Sequence, residues 1–474
     1  MGVRLFSMVS AIILARLLDP ADFGVVALAQ IILSTMGLFS GLGMGLAVIQ
    51  SPHDRDKVAY QAFVVSALSG FAFYLVLIFF APFFAELLNR PQVVDVLRWM
   101  SAIVLLAALT SVPEALLQKE MLFGRVSTSV IVSELTYIAT AITFAVMGFG
   151  LWSLVYGALA RSTVNLAMMW ILSPGWAWIT RKPWDKPLMK SLLGFGIQAS
   201  GSGVVAFLNS ILDSYIIGRV LGEIAIGIYD RANNFSSRIV EGFVNVIGVV
   251  LFPSYSRIQN DKERLSNAYL KSLRLMSFFT VPVAMGMFIV AEEMIPTLMG
   301  TKWLPMVAPF QILAFVSLVK PLSGTTGALF ASTGYPRYNL RSGLCITAVM
   351  LAGIYFFLGY GVSGVACAVL IAHVVGFAFN MYQVHKLLPG TSWKMLNAVA
   401  PATLAALLMI IVVLVIKLPL YHLAGEAVTI PTLIVMICVG GAVYITALVL
   451  TQRPLISEIM GLTLSHLRLK QIEH

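Results

Sequence analysis

Charge is scarce in this 474-residue chain. Only 11% of it is Asp, Glu, Lys or Arg, against a usual share of roughly 25% in soluble domains. That shortage excludes a solvated globular surface. Cysteine is rarer still. Cys345, Cys367 and Cys438 lie in apolar stretches without metal or redox spacing, so they read as small core residues and no metal centre is expected. There is no nucleophile–base arrangement, phosphate-binding glycine loop or metal-ligand set. The sequence therefore predicts no cofactor and no enzyme.

Apolar surface is what the chain has in excess: 59% hydrophobic residues and a mean hydropathy of +0.91. Stretches long enough to cross a bilayer, about 20 residues each, recur along the whole length. The expected class is an all-α polytopic membrane protein. About fourteen spans are predicted, near 1–18, 24–50, 57–84, 93–118, 126–148, 150–172, 190–221, 223–256, 267–290, 303–332, 339–359, 361–385, 394–416 and 429–451. No cleavable signal peptide is expected, because the first apolar run leads straight into further spans. The expected organisation is an N-lobe at 1–172 (spans one to six), a basic, Trp-rich cytoplasmic linker at 173–189, and a C-lobe at 190–387 (spans seven to twelve). Spans thirteen and fourteen follow at 388–451, and an amphipathic cytoplasmic tail at 452–474.

Charge bias predicts orientation. Of 31 Lys and Arg, 21 fall on the N-terminal side of the membrane, six at the other margin and four within spans. The positive-inside rule then places both termini in the cytoplasm. The net charge of +10 reflects that topology, and no basic soluble domain exists to bind nucleic acid.

The chain also repeats. "ARLLDPADFGVVALA" (15–29) aligns with "GRVLGEIAIGIYDRA" (218–232) at an offset of 203, and "GFGLWSL" (148–154) with "GYGVSGV" (359–365) at 211. Six spans separate the copies, an even number, so the repeat is parallel, with a binding site expected between the halves near midplane.

One stretch, "YDRANNFSSRIVEG" (229–242), puts charges into a greasy chain. Arg231, Asn234, Arg238, Glu241 and Asn245 step by three and four, which is one stripe of a helix. An Arg near midplane costs ~2.5–3.5 kcal/mol on insertion scales, so the stripe is expected to face protein or water. Other spans carry matching stripes: Gln198, Ser202, Asn209 and Asp213; Ser153, Gly157, Arg161 and Asn165; Ser317, Lys320, Gly324 and Gly327, with Glu134 and His373 besides. Two readings stand. The charges are buried pairs fastening helices, such as Glu134 with Arg161 or Asp213 with Arg231, or they converge on one cationic cavity suited to a phosphate-bearing ligand.

Three stretches resemble a known family: "ILARLLDPADFGVVALAQ" (13–30), "LDSYIIGRVLGEIAIGIYDRANNF" (212–235) and "LFPSYSRIQND" (251–261). They look like the hairpins and span-eight exit of Wzx-type polysaccharide flippases, in the multidrug/oligosaccharidyl-lipid/polysaccharide exporter superfamily. The resemblance implies a V-shaped pair of six-helix lobes plus two C-terminal helices in the bacterial inner membrane. It implies an undecaprenyl-diphosphate-linked oligosaccharide as substrate, moved from the cytoplasmic to the periplasmic leaflet by alternating access, for O-antigen, capsule or exopolysaccharide synthesis. Membrane lipids and the polysaccharide polymerase and chain-length machinery are the implied partners.

Arg231, Arg238, Arg161 and Lys320 are then the expected cationic cavity, and Asn209, Asn234, Asn245 and Gln198 its polar lining. Asp213, Glu241, Glu134 and His373 are the candidates for proton or sodium coupling. An inside-negative potential favours outward movement of an anionic headgroup by about 2.3 kcal/mol per charge per 100 mV. The alternatives are a peptidoglycan-precursor (lipid II) flippase and a cation-coupled small-molecule exporter. A lipid-linked sugar transferase is disfavoured, because the longest outer loop, "AEEMIPTLMGTKW" near 291–303, is too small for its catalytic site.

Overall fold

The computed structural model describes residues 2–51, 53–180, 182–424 and 430–451. Within these, the side chains at 2–5, 38, 195–210, 241–250, 336, 392 and 418–424 are left out. The 452–474 tail lies outside the described residues. The described chain is all-helical, and nine of its segments are long and apolar enough to cross a membrane. It is a multi-pass membrane protein. It divides into two compact units, Met1–Arg231 with Leu358–Val365, and Ala232–Phe357 with Ala366–His474.

The first unit contains α1 (Gly2–Leu17), α2 (Pro20–Ser40), α3 (Met44–Gln50), α4 (Arg55–Leu87), α5 (Val93–Met100), α6 (Ala102–Lys119), α7 (Phe123–Val146), α8 (Leu151–Leu172) and α9 (Lys186–Val220). It ends in the first turns of α10 (Glu223–Arg257). One predicted span differs from expectation. The 24–50 span breaks into α2 and α3, because Leu42 (φ 45°) and Gly43 (φ 65°) are left-handed, which no helix continues through. The 93–118 span runs as α5 and α6 through Ser101, which keeps helical backbone angles (φ −56°, ψ −30°) and bonds its amide to the Leu97 carbonyl at 2.8 Å.

The 173–189 segment carries a short 3-10 turn at Ala177–Ile179. Trp178 is buried among Met44, Val48, Ala59, Leu116, Leu188 and Leu192. Its ring packs edge-on to Phe63 (5.4 Å) and lies 5.7 Å from Trp170. Asp185 caps α9 by accepting from the Leu188 amide at 3.1 Å, as Asp54 caps α4 by accepting from Lys57 at 3.0 Å. Apolar burial thus seats Trp178 and the start of α9 against α3, α4 and α6.

One helix crossing in this unit depends on glycine. A Cβ on Gly24 of α2 would strike the Glu223 carbonyl, and a Cβ on Gly227 of α10 would strike the Pro20 carbonyl. The contact is reciprocal: 20 and 223, like 24 and 227, differ by 203. Absent side chains let the two backbones touch, which is how small residues pack helices in lipid.

The second unit continues α10 and adds α11 (Lys262–Met299), α12 (Val307–Ser332), α13 (Pro336–Phe357), α14 (Gly361–Leu387), α15 (Thr391–Ala424) and α16 (Ile430–Thr451). The opening turns of α14 cluster with the first unit. Its core centres on Tyr255, Tyr269, Leu273, Leu329 and Phe330. The buried Tyr269 hydroxyl meets Thr326 Oγ1 at 2.8 Å, satisfying both groups away from water.

Candidate functional site

Residues 229–242 lie inside the unbroken α10, so the charged stretch is helix and not a solvated loop. Arg231 donates from Nη2 and Nε to Asp230 Oδ2, at 2.6 and 3.2 Å. Its guanidinium carbon stands 4.6 Å from the centre of the Phe23 ring on α2, a cation–π contact. Asp213 of α9 is buried and accepts from the Tyr229 hydroxyl at 2.5 Å and from the Ser214 amide at 2.7 Å. The sequence sets Asp213 against Arg231, but Arg231's bonded carboxylate is its chain neighbour. Adjacent helix positions normally diverge, and here the flexible Arg side chain bends back.

The other expected pair is formed. Arg161 of α8 lies 3.5 Å from Glu134 of α7 and 5.8 Å from the centre of the Tyr137 ring. Glu134 also accepts from the Ser7 hydroxyl of α1 at 2.7 Å. One carboxylate thereby ties three helices, while half of the Arg161 side chain stays exposed (50%). Asn165, on the same face of α8, accepts from Ser129 at 2.9 Å.

In the second unit, Arg238 of α10 and Lys320 of α12 are exposed, and neither has a carboxylate partner among the described residues. Asn234 is half-buried. His373 of α14 is half-buried, with Nδ1 2.8 Å from the Val369 carbonyl, and it lies within electrostatic reach of Lys320. The side chains of Gln198, Asn209, Glu241 and Asn245 lie outside the described ones. The predicted cations therefore divide into two kinds. Arg161 and Arg231 are already partnered; Arg238 and Lys320 have no carboxylate partner among the described residues.

Sequence reasoning misses one buried pair. Lys417 of α15 falls among the margin charges by sequence, yet its ammonium meets Glu293 of α11 at 2.7 Å and the Ile289 carbonyl at 2.9 Å. The Glu293 side chain is only 1% exposed. A lone cation in the apolar run "IIVVLVIKLPL" is the available signal, since such a charge needs a partner in hydrocarbon. The three cysteines are free, and no group of three metal-ligating side chains occurs among the described residues.

Cations inside the helices of a multi-pass membrane protein mark a candidate functional site. The profile of the polysaccharide biosynthesis protein family matches residues 13–308. The chain belongs to that family. It is 25% identical over 472 residues to the succinoglycan biosynthesis transport protein ExoT of Rhizobium meliloti (strain 1021), covering 95% of this chain and 90% of the relative. It is 22% identical to the lipopolysaccharide biosynthesis protein WzxC of Escherichia coli (strain K12), covering 82% and 79%. Among solved structures, the lipid II flippase MurJ in an inward closed conformation superposes with a TM-score of 0.74 at 16% identity, covering 96% of this chain and 98% of that one. An inward-facing multidrug resistance MATE family transporter of the MOP superfamily gives 0.65 at 16% identity, covering 81% and 95%. The fold is the one these transporters share.

Proposed function

We propose that this protein carries an undecaprenyl-diphosphate-linked oligosaccharide from the cytoplasmic to the periplasmic leaflet of the bacterial inner membrane, supplying a surface or exported polysaccharide. The observation that carries the reading is the likeness, along nearly the whole chain, to a relative named as a succinoglycan transport protein. Relatives named for succinoglycan biosynthesis transport and lipopolysaccharide biosynthesis favour it over lipid II or drug export; the likeness to MurJ and MATE concerns fold alone.

In this reading α2 with α3, and α5 with α6, each make one span, which brings the passes to fourteen with both termini cytoplasmic. Spans one to six and seven to twelve form two parallel repeats, and the reciprocal Gly24 and Gly227 contact supports that arrangement. The lipid tail stays in the bilayer, while a cationic, hydrated path replaces the water around the diphosphate and sugars. Arg238 and Lys320 offer open positive charge to the diphosphate. Arg231 and Arg161 join them by exchanging Asp230 and Glu134 for phosphate oxygens, and Asn234, Asn209, Asn245 and Gln198 contact sugar. Asp213, Glu241, Glu134 and His373 are the proton or sodium coupling groups.

An Arg fork bonds a diphosphate in bidentate fashion, whereas Lys makes point contacts. Arg238→Lys is therefore expected to impair export despite its retained charge, and Arg238→Ala to impair it further. The test is restoration of surface polysaccharide in a flippase-null strain, with protein abundance checked by immunoblot. Full restoration by Arg231→Ala/Arg238→Ala at normal abundance refutes the assignment.

A further inference from the structure

Acidic residues vanish from one long stretch of the chain: none lies between Glu293 and Glu426, while Lys302, Lys320, Arg337, Arg341, Lys386, Lys394 and Lys417 all do. Three of these cations gather at one end of an antiparallel helix pair. α13 starts at this end and α14 returns to it. Their register is locked by Ser342, whose hydroxyl donates to Asn380 Oδ1 at 2.5 Å and accepts from Gln383 Nε2 at 2.7 Å. These three side chains are buried. Arg341 sits one residue before that lock and Lys386 three residues after Gln383, about 4.5 Å further along the α14 axis toward the same end.

Each cation is held over a tyrosine. The Arg337 guanidinium carbon lies 5.5 and 5.8 Å from the Tyr335 and Tyr338 ring centres. Arg341 lies 5.8 Å from Tyr338, and the Lys386 ammonium 4.6 Å from Tyr382. Tyr335 and Tyr338 stack at 5.5 Å with 14° between their planes. Arg337, Arg341 and Lys386 are exposed, and none has a carboxylate partner among the described residues. Cation–π contacts restrict these side chains without neutralising them.

We propose that this cluster binds the phosphate of an anionic phospholipid in the adjoining leaflet. Leu340 and Leu344, 49% and 54% exposed, continue the Arg337 and Arg341 stripe of α13 toward the membrane interior. Cations, aromatic rings and bare leucines thus follow one another in the order of phosphate, interface and acyl chain. Aromatic belts and basic clusters at that depth recognise anionic headgroups. A soluble anion would need no such apolar border. The proposal does not depend on what the protein transports, because it is read by lipid binding and not by export.

Purified full-length protein is titrated with phosphatidylglycerol or phosphatidylcholine, and bound lipid is counted by native mass spectrometry. Phosphatidylglycerol is expected to bind preferentially and to weaken with salt. Arg337→Gln/Arg341→Gln/Lys386→Gln should bind it more weakly, by on the order of 100-fold, taking about fivefold per basic residue. Arg264→Gln, at the start of α11, should leave affinity unchanged. Arg341→Gln alone is the milder variant if the triple one does not fold, with an expected loss of about fivefold. Unchanged phosphatidylglycerol affinity in whichever of these variants folds overturns the proposal. Equal loss in Arg264→Gln, or displacement of the lipid by inorganic phosphate at the same concentration, overturns it too.

Discussion

Gly227→Ala is the substitution whose outcome follows most directly from the coordinates. The added Cβ would fall on the Pro20 carbonyl oxygen, well inside contact distance. That oxygen belongs to backbone and cannot rotate away, so α2 and α10 must move apart. Over-packing of this kind costs about 1–3 kcal/mol. Gly24→Ala places a Cβ on the Glu223 carbonyl of the same crossing, and should cost a similar amount. Because both changes separate the same two helices, Gly24→Ala/Gly227→Ala should cost less than the sum of the two. Gly37 is the control on the same helix: nothing lies within 4 Å of its added Cβ, and Ala there gains up to about 1 kcal/mol of helix propensity. Thermal unfolding of the purified protein measures all four variants. A destabilisation of about 1–3 kcal/mol also shifts a two-state transporter by about five- to 150-fold when only one state holds the crossing closed. Polysaccharide export should then fall with stability. Gly24→Ala and Gly227→Ala proteins as stable as Gly37→Ala would refute the reasoning.

Lys417→Met should destabilise the protein by roughly 3–5 kcal/mol, since it removes the cation paired with the buried Glu293 carboxylate; adding Glu293→Gln should recover most of the loss in thermal unfolding. Trp178→Ala empties a buried aromatic socket and should cost about 3–5 kcal/mol. Limited proteolysis should then cut within 173–189 sooner than in the wild type. Glu134→Arg should impair export, and Glu134→Arg/Arg161→Glu should not restore it, because the proposed function assigns Arg161 to the diphosphate. The half-exposed geometry limits that pair to ~1 kcal/mol, so abundance should change little; export restored by the swap would instead make the pair a helix fastener.

Membrane class and helix positions are legible in the sequence because lipid leaves a backbone few options. A stretch of apolar residues must be helical to satisfy its own hydrogen bonds, so composition along the chain suffices. The same logic shows that the 229–242 stretch is helix: a three-and-four step is a property of local geometry. Breaks inside a span are harder to read. Leu42 and Gly43 interrupt α2–α3 through a left-handed turn, and the surrounding hydropathy does not register it.

Partner choice lies beyond local pattern altogether. Glu134 can be matched to Arg161 by charge alone, but the same reasoning sets Asp213 against Arg231, where the structure supplies Asp230 for the arginine and Tyr229 for Asp213. Lys417 and Glu293 are 124 residues apart in the chain and meet only because α15 packs on α11. Spacing within one helix fixes which residues share a face. Which face meets which neighbour is decided by packing between helices distant in sequence, and that information first exists in the folded chain.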